Sequence, residues 1–279
     1  MSTLEAVLEQ YEKNKLATSS AGKFSSEEKM KKFFTTVLPK GQKTAERRIR
    51  ILETKDGSSP FVEVKFHEIQ VDGKWVKLYD PAQEGKRSPL NEVAEGLKLT
   101  GKAEDKELAK QYYSRKFYIV KLIDRDHEDE GVKFWRFKHN GKSEGIIDKI
   151  IPIWRNKGDI TDPKKGRDLI LTLSLTKSGN GKEYTIVSSI IPEDPGPLSD
   201  NKELVTTWLN DEVKWSDVYS MKDENYLTLV AKGEIPKWSQ EAKKWVSNSN
   251  GEVTLGSSNG TPETVDAQEN EEPADDLPF

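Results

Sequence analysis

The sequence contains no cysteine, which excludes disulfides, thiolate metal sites, iron–sulfur clusters and a cysteine nucleophile. Histidine is nearly as scarce: His67, His127 and His139 are scattered over 279 positions and leave little for imidazole chemistry. No apolar run approaches the roughly 18 residues of a membrane-spanning helix. The N-terminal stretch MSTLEAVLEQYEK is polar and acidic, so a secretory signal is excluded and the expected location is the cytoplasm. Basic residues are missing from one region altogether. From Gly251 to Phe279 there are eight acidic side chains and no Lys or Arg, so residues 1–250 carry all 44 basic residues against 40 acidic ones. The net charge of −4 therefore conceals a basic body with an acidic tail, an arrangement suited to handling a polyanion.

Catalytic signatures are absent too. There is no Walker-type glycine loop, no HExxH, no GxSxG and no set of acids spaced for a two-metal nuclease, so no enzymatic activity, cofactor or metal is expected. The acidic triplet Glu128-Asp129-Glu130 reads as a solvated loop rather than a cation site, and His67 as a packed strand residue.

What is present divides the chain into four parts. Residues 1–44 form an N-terminal helical arm: Ser2 and Glu5 have capping-box spacing ahead of a helix over 2–16, and a second short helix carries Met30, Phe33 and Phe34. Residues 45–192 change to a period of two. RRIRILE, PFVEVKFHEIQV and KWVKLY read as strands, the last two joined by the turn dipeptide Asp72-Gly73. Residues 81–101 make an excursion out of the sheet, 103–114 a helix, and SRKFYIVKLIDRD and VKFWRFKHNG two further strands. The helix SEGIIDKIIPIW is expected to end at Pro152, and RDLILTLSLT and KEYTIVSSI form a closing hairpin. The expected fold is mainly β with flanking helices, around an OB-fold core built as a five-stranded Greek-key barrel, with a sandwich as the alternative. Residues 193–247 are expected to pack on this core as helices over roughly 200–212, 222–231 and 238–246. Residues 248–279, poor in apolar side chains and of one charge sign, form a disordered acidic tail.

Three of the strands interleave cations with aromatic rings. In RRIRILE, Arg48 and Arg50 share one face; YYSRKFYIVK gathers Tyr112, Tyr113, Arg115, Lys116, Phe117 and Tyr118; KFWRFK alternates Lys133, Trp135, Arg136 and Lys138 with phenylalanine. Single-stranded nucleic acid offers phosphates and unpaired base faces, so a binder needs cations along its path and rings on which bases stack. The tail supplies a second feature. Asp275, Asp276, Leu277, Pro278 and Phe279 combine two acids with an apolar anchor and a carboxylate, a pattern suited to capture by a partner protein.

The order of an arginine-bearing strand (RIRILE), an Asp-Gly-Lys-Trp hairpin, SRKFYIVKLI, DEGVKFWRF, a helix with IIDKI and a leucine-alternating strand resembles the single-stranded DNA-binding protein family of T-even bacteriophages over about residues 45–230. The resemblance implies an OB-fold cleft that holds single-stranded DNA in phage replication, recombination and repair, with Arg50, Trp75, Arg115, Lys116, Phe117, Tyr118, Trp135, Arg136 and Tyr184 as cleft candidates; the location would be the host cytoplasm. That family holds zinc with one His and three Cys. Here His67 stands at the matching place, but the cysteine positions fall near Asp80, Ser88 and Asn91, so zinc is not expected and the excursion should be held by Leu90, Val93 and Leu97. The family self-associates on DNA through a short basic N-terminal element. The acidic helix at this N-terminus leaves room only for weak self-association. The tip DDLPF resembles that of bacterial single-stranded DNA-binding proteins and implies recruitment of polymerase, helicase and recombination factors. Two other functions remain open: a single-stranded RNA-binding regulator, distinguished by DNA–RNA competition, and a protein-interaction scaffold, distinguished by the absence of salt-dependent oligonucleotide binding.

Overall fold

The computed structural model describes residue 24 and residues 26–252, apart from 142, 143, 180, 182 and 220. The expected helix over 2–16 and the tip at 275–279 lie outside the described residues.

A short helix α1 (Ser26–Lys32) leads into Phe33 and Phe34, which bridge to Phe134. The sheet follows, antiparallel throughout. In β1 (Thr44–Ile51), Ala45, Arg47 and Ile49 stand opposite Leu173, Leu171 and Leu169 of β6 (Arg167–Lys177), so the leucine alternation seats one whole side of β6 in the core. β2 (Val62–Val71) and β3 (Lys74–Tyr79) are joined through Asp72 and Gly73 at φ 53° and 76°. Two successive left-handed residues make the turn whose twist matches the flanking strands, as the dipeptide predicts.

β4 (Arg115–Asp124) is the hub. β5 (Val132–Lys138) pairs along most of its length, so β2 and β1 share its other edge, β2 at Arg115–Ile119 and β1 at Leu122–Asp124. With β7 (Glu183–Pro195) beyond β6, the strand order is β3-β2-β4-β1-β6-β7, with β5 against β4. The architecture is mainly β with flanking helices, consistent with an OB-like core.

The central core lies between this sheet and α4 (Ile146–Lys157), where Ile49, Leu122, Trp135, Ile150 and Leu171 are fully buried. Contrary to expectation, α4 passes through Pro152. Ile153 and Trp154 pack on the core, and that packing carries the helix past the one hydrogen bond the proline cannot donate. The excursion consists of a 3-10 turn at Pro81–Glu84, then α2 (Pro89–Leu99) and α3 (Ala103–Tyr112). Leu90 is fully buried there with Val93 and Leu97 packed around it.

Three helices follow the sheet: α5 (Lys202–Leu209), α6 (Trp215–Val218) and α7 (Glu224–Ala231). α7 adds Tyr226, Leu227 and Val230 to the core of the excursion. The expected helix over 238–246 is instead a hairpin, β8 (Glu234–Ser239) and β9 (Lys244–Glu252), so residues 248–252, expected to be disordered, continue a strand. A seven-residue spacing places Trp238 and Trp245 on one helix face, but it serves equally for cross-strand partners around a four-residue turn. Their rings meet at 5.4 Å, and Trp245 also meets Tyr226 of α7 at 4.9 Å. Packing on α7 decides between the two.

Candidate nucleic-acid interface

Strand alternation divides the aromatic–basic segments between two faces. On β4, Arg115 and Phe117 project to one side and Lys116 and Tyr118 to the other. The register carries Trp75, Arg136 and Lys138 to the first side, through Gln70↔Trp75, Ile119↔Arg136 and Phe117↔Lys138. Lys133 and Trp135 fall on the second side.

Five expected contact residues are buried and do not reach solvent. Trp135 is 0% exposed, its ring 4.7 Å from Phe137 and 5.7 Å from Phe34. Phe117 and Tyr112 belong to two further core clusters. The Lys133 ammonium is held by Asp124 at 3.2 Å and Glu130 at 2.5 Å. Arg50, 1% exposed, donates to Asp168 at 3.0 Å and to the Gly196 carbonyl at 2.6 Å. Asp168 in turn accepts two bonds from Arg125 at 2.8 and 2.9 Å. Arg50 does share its face with Arg48, but residues 160–168 and 196 close over it while Arg48 stays half exposed beside Glu193. Tyr113 donates to Glu95 at 2.6 Å. Tyr184 pairs with Thr176 and is separated from β4 by β1 and β6 in the strand order.

On the first face the cations are committed to protein groups. Glu68 receives Lys138 at 2.5 Å and Arg115 at 3.4 Å, with Lys77 directly opposite. Burial opposes its ionisation, but Lys138 and Lys77 outweigh burial and hold the carboxyl below its ordinary range. Arg136 lies 4.4 Å over the Tyr219 ring and 5.0 Å from that of Phe66. Val218 and Tyr219 are buried in the same cluster as Phe66 and Phe117, and Trp215 packs against it. Trp75, 40% exposed, remains open on β3.

The second face is arranged differently where it leaves the core. Lys65 and Lys116 are direct cross-strand partners, and Glu63 is the partner of Tyr118. Like charges directly opposite destabilise a strand pair, and an anion laid across both relieves the repulsion. Lys116 meets Glu63 at 2.9 Å; exposed Lys65 has no ion-pair partner among the described residues. Half-buried Tyr118 lies among rings, 5.6 Å from His139, 5.8 Å from Phe137 and 6.3 Å from Phe61. The His139 backbone donates to the Lys116 carbonyl at 2.9 Å, and Phe61 continues the row to Trp154 at 6.0 Å. Phe61 is itself buried in the core, so the rings that reach the surface here are Tyr118 and His139, beside Lys65 and Lys116. The sequence expectation named Lys116 and Tyr118 but not Lys65 or His139, whose only signal is a register that a single strand does not reveal.

His67 and the residues at the family's cysteine positions also meet. His67 is 0% exposed, and its Nδ1 donates to the Tyr112 carbonyl at 2.6 Å; its Nε2 lies 3.4 Å from both Asp80 Oδ1 and Ser88 Oγ. Asp80 accepts from Ala82 N at 3.0 Å, from Asn91 at 3.1 and 3.2 Å, and from Ser114 at 2.6 Å. Burial disfavours the charged carboxylate, but bonds from His67, Ser114 and Ala82 outweigh it and hold Asp80 well below the carboxylate range. With no thiolate, and with the imidazole Nδ1 and the carboxylate oxygens already engaged, this donor set does not fit a tetrahedral zinc ion.

A family model described as gp32 DNA binding protein like matches residues 43–233. No curated protein matches the chain. Among the described residues no helix is long and apolar enough to cross a membrane.

Proposed function

The chain belongs to the gp32-like DNA-binding protein family, and from that premise we propose that it coats single-stranded DNA in replication, recombination and repair, holding the strand on the face that carries Lys65, Lys116 and Tyr118. The family is a DNA-binding and not a catalytic one. The observation that carries the proposal is the opposed pair Lys65 and Lys116 beside the rings of Tyr118 and His139. Phosphates would bridge the ammonium groups while bases stack on the rings, which is sequence-tolerant because every base has a π face. In the cytoplasm, the acidic segment of residues 251–279 would compete for the same cations. Asp275, Asp276, Leu277, Pro278 and Phe279 would recruit polymerase, helicase and recombination proteins.

Fluorescence anisotropy against single-stranded DNA, duplex and RNA tests this reading. Single-stranded DNA is expected to bind best, with log K falling by about 0.7 per phosphate neutralised for each tenfold rise in salt. Tyr118→Ala should lower affinity by about 1–3 kcal/mol at an unchanged slope. Lys65→Ala should lower both affinity and slope. A flat salt response, or equal affinity for duplex, would overturn the proposal; a preference for RNA would assign the face to an RNA-binding regulator.

A further inference from the structure

One acidic side chain stands in the row of cations and rings. Glu63 is opposite Tyr118 on the neighbouring strand, 2.9 Å from the Lys116 ammonium, and more than half exposed. The His139 ring lies 5.6 Å from that of Tyr118 beside it, and Lys65, two residues along β2, lies opposite Lys116. Asp148 of α4 is the other acid whose charge is felt at Tyr118. The arrangement is that of an oxyanion paired with an ammonium on a strand edge beside a phenol and an imidazole, which is also the setting a phosphate diester requires.

Resting on the reading of this face as the DNA-binding one, we propose that Glu63 is an internal stand-in for a DNA phosphate: it occupies Lys116 in the free protein and must be displaced for a strand to lie across Lys65 and Lys116. The carboxylate keeps Lys116 extended along the strand path and offsets the repulsion between the two opposed lysines, so the face is preformed without DNA. The same carboxylate sets a limit on affinity. Each strand that binds exchanges one ion pair for another at Lys116, so this cation yields little net binding energy, and the limit keeps the coat exchangeable. The hydrogen bond from Lys116 is also the first cause holding the Glu63 carboxyl below its ordinary range. Glu63 therefore stays ionised, and the limit persists, at neutral pH.

The test is a double-mutant cycle on the full-length protein, read by anisotropy with a fluorescent oligothymidine over a salt series. Glu63→Gln is expected to tighten binding about two- to fivefold at low salt, the range an exposed ion pair is worth. It should also steepen the salt slope by about 0.7, because Lys116 then neutralises a phosphate without first leaving a carboxylate. In a Lys116→Gln background the Glu63→Gln effect should vanish. Glu107→Gln, which removes the same charge from an exposed helical pair with Lys110, should change neither quantity. Equal tightening by Glu63→Gln with and without Lys116, or by Glu107→Gln, would reduce Glu63 to a long-range charge and overturn the proposal. If Lys65→Ala, and Lys116→Gln made in the Glu63→Gln background, both leave DNA binding unchanged, the DNA-binding reading of this face has failed, a result the cycle separates from failure of the stand-in role. Circular dichroism melts of each variant confirm that the compared proteins are folded.

Discussion

Asp80→Ala is expected to lower the unfolding free energy by about 3–5 kcal/mol, the cost of removing one partner from a buried charged cluster. Asp80 ties together the end of β3, the first turn of α2 through Asn91, the start of β4 through Ser114, and β2 through His67. Without it, Asn91, Ser114 and the Ala82 amide lose their acceptor in a partly buried site. The damage should reach the DNA face as well. The Lys65 carbonyl accepts from Asp80 N at 3.0 Å and Gln83 Nε2 at 2.8 Å, and Lys65 N donates to Gln83 at 2.9 Å, so the excursion holds the strand that presents Lys65. Urea denaturation and anisotropy on the same preparation measure both effects. The pH dependence follows from the depressed pKa. A carboxyl lower in the folded than in the unfolded state contributes stability that is complete above its unfolded value, about 3.9, and is lost as pH falls toward the folded one. The wild type should therefore lose stability below about pH 4 more steeply than Asp80→Asn, and parallel curves would show that Asp80 is not the responsible group.

Arg50→Ala is expected to destabilise the protein by about 3 kcal/mol while leaving the DNA affinity and salt slope of the folded protein unchanged. The loss is at the lower end for a buried ion pair because Arg125 still holds Asp168 after Arg50 is gone. What is left unpaired is the Gly196 carbonyl, since that of Asp162, 3.4 Å from Arg50, still accepts from Gly166 N at 2.8 Å. Arg50→Lys should recover little. A single ammonium on a flexible stem cannot span Asp168 and two carbonyls as the planar guanidinium does. Reduced DNA affinity with a shallower salt slope at undiminished stability would return Arg50 to the binding surface. Trp135→Ala belongs to the same class, a core truncation costing roughly 3–5 kcal/mol rather than a lost stacking contact.

Local pattern by itself determined the strands and most helices, because each is written in a short window. The alternating Leu169, Leu171 and Leu173 have one place to go, Asp72-Gly73 can adopt two left-handed residues, and the spacing of Ile147 and Ile150 makes one helix face. The aromatic–basic composition also pointed to the function class of the family. Which of those residues face solvent was not written there. Alternation predicts that Arg115 and Lys116 part company, and that Trp135 and Arg136 do, but not which side a second layer will cover. Trp215, Val218 and Tyr219, some eighty residues from β5, cover one side, and α4 covers much of the other. Arg50 shows the same limit: its exposure depends on residues 160–168 and 196, more than a hundred positions away, closing over an otherwise open strand face. Cross-strand register decided the rest. Lys65 becomes part of a site only because β2 pairs with β4 at Lys116, and Trp238 and Trp245 become a hairpin only because Tyr226 offers them a surface. Sequence alone fixes periodicity and the chemistry available, since both are local; exposure and juxtaposition depend on contacts between distant segments, and those are decided when the chain packs.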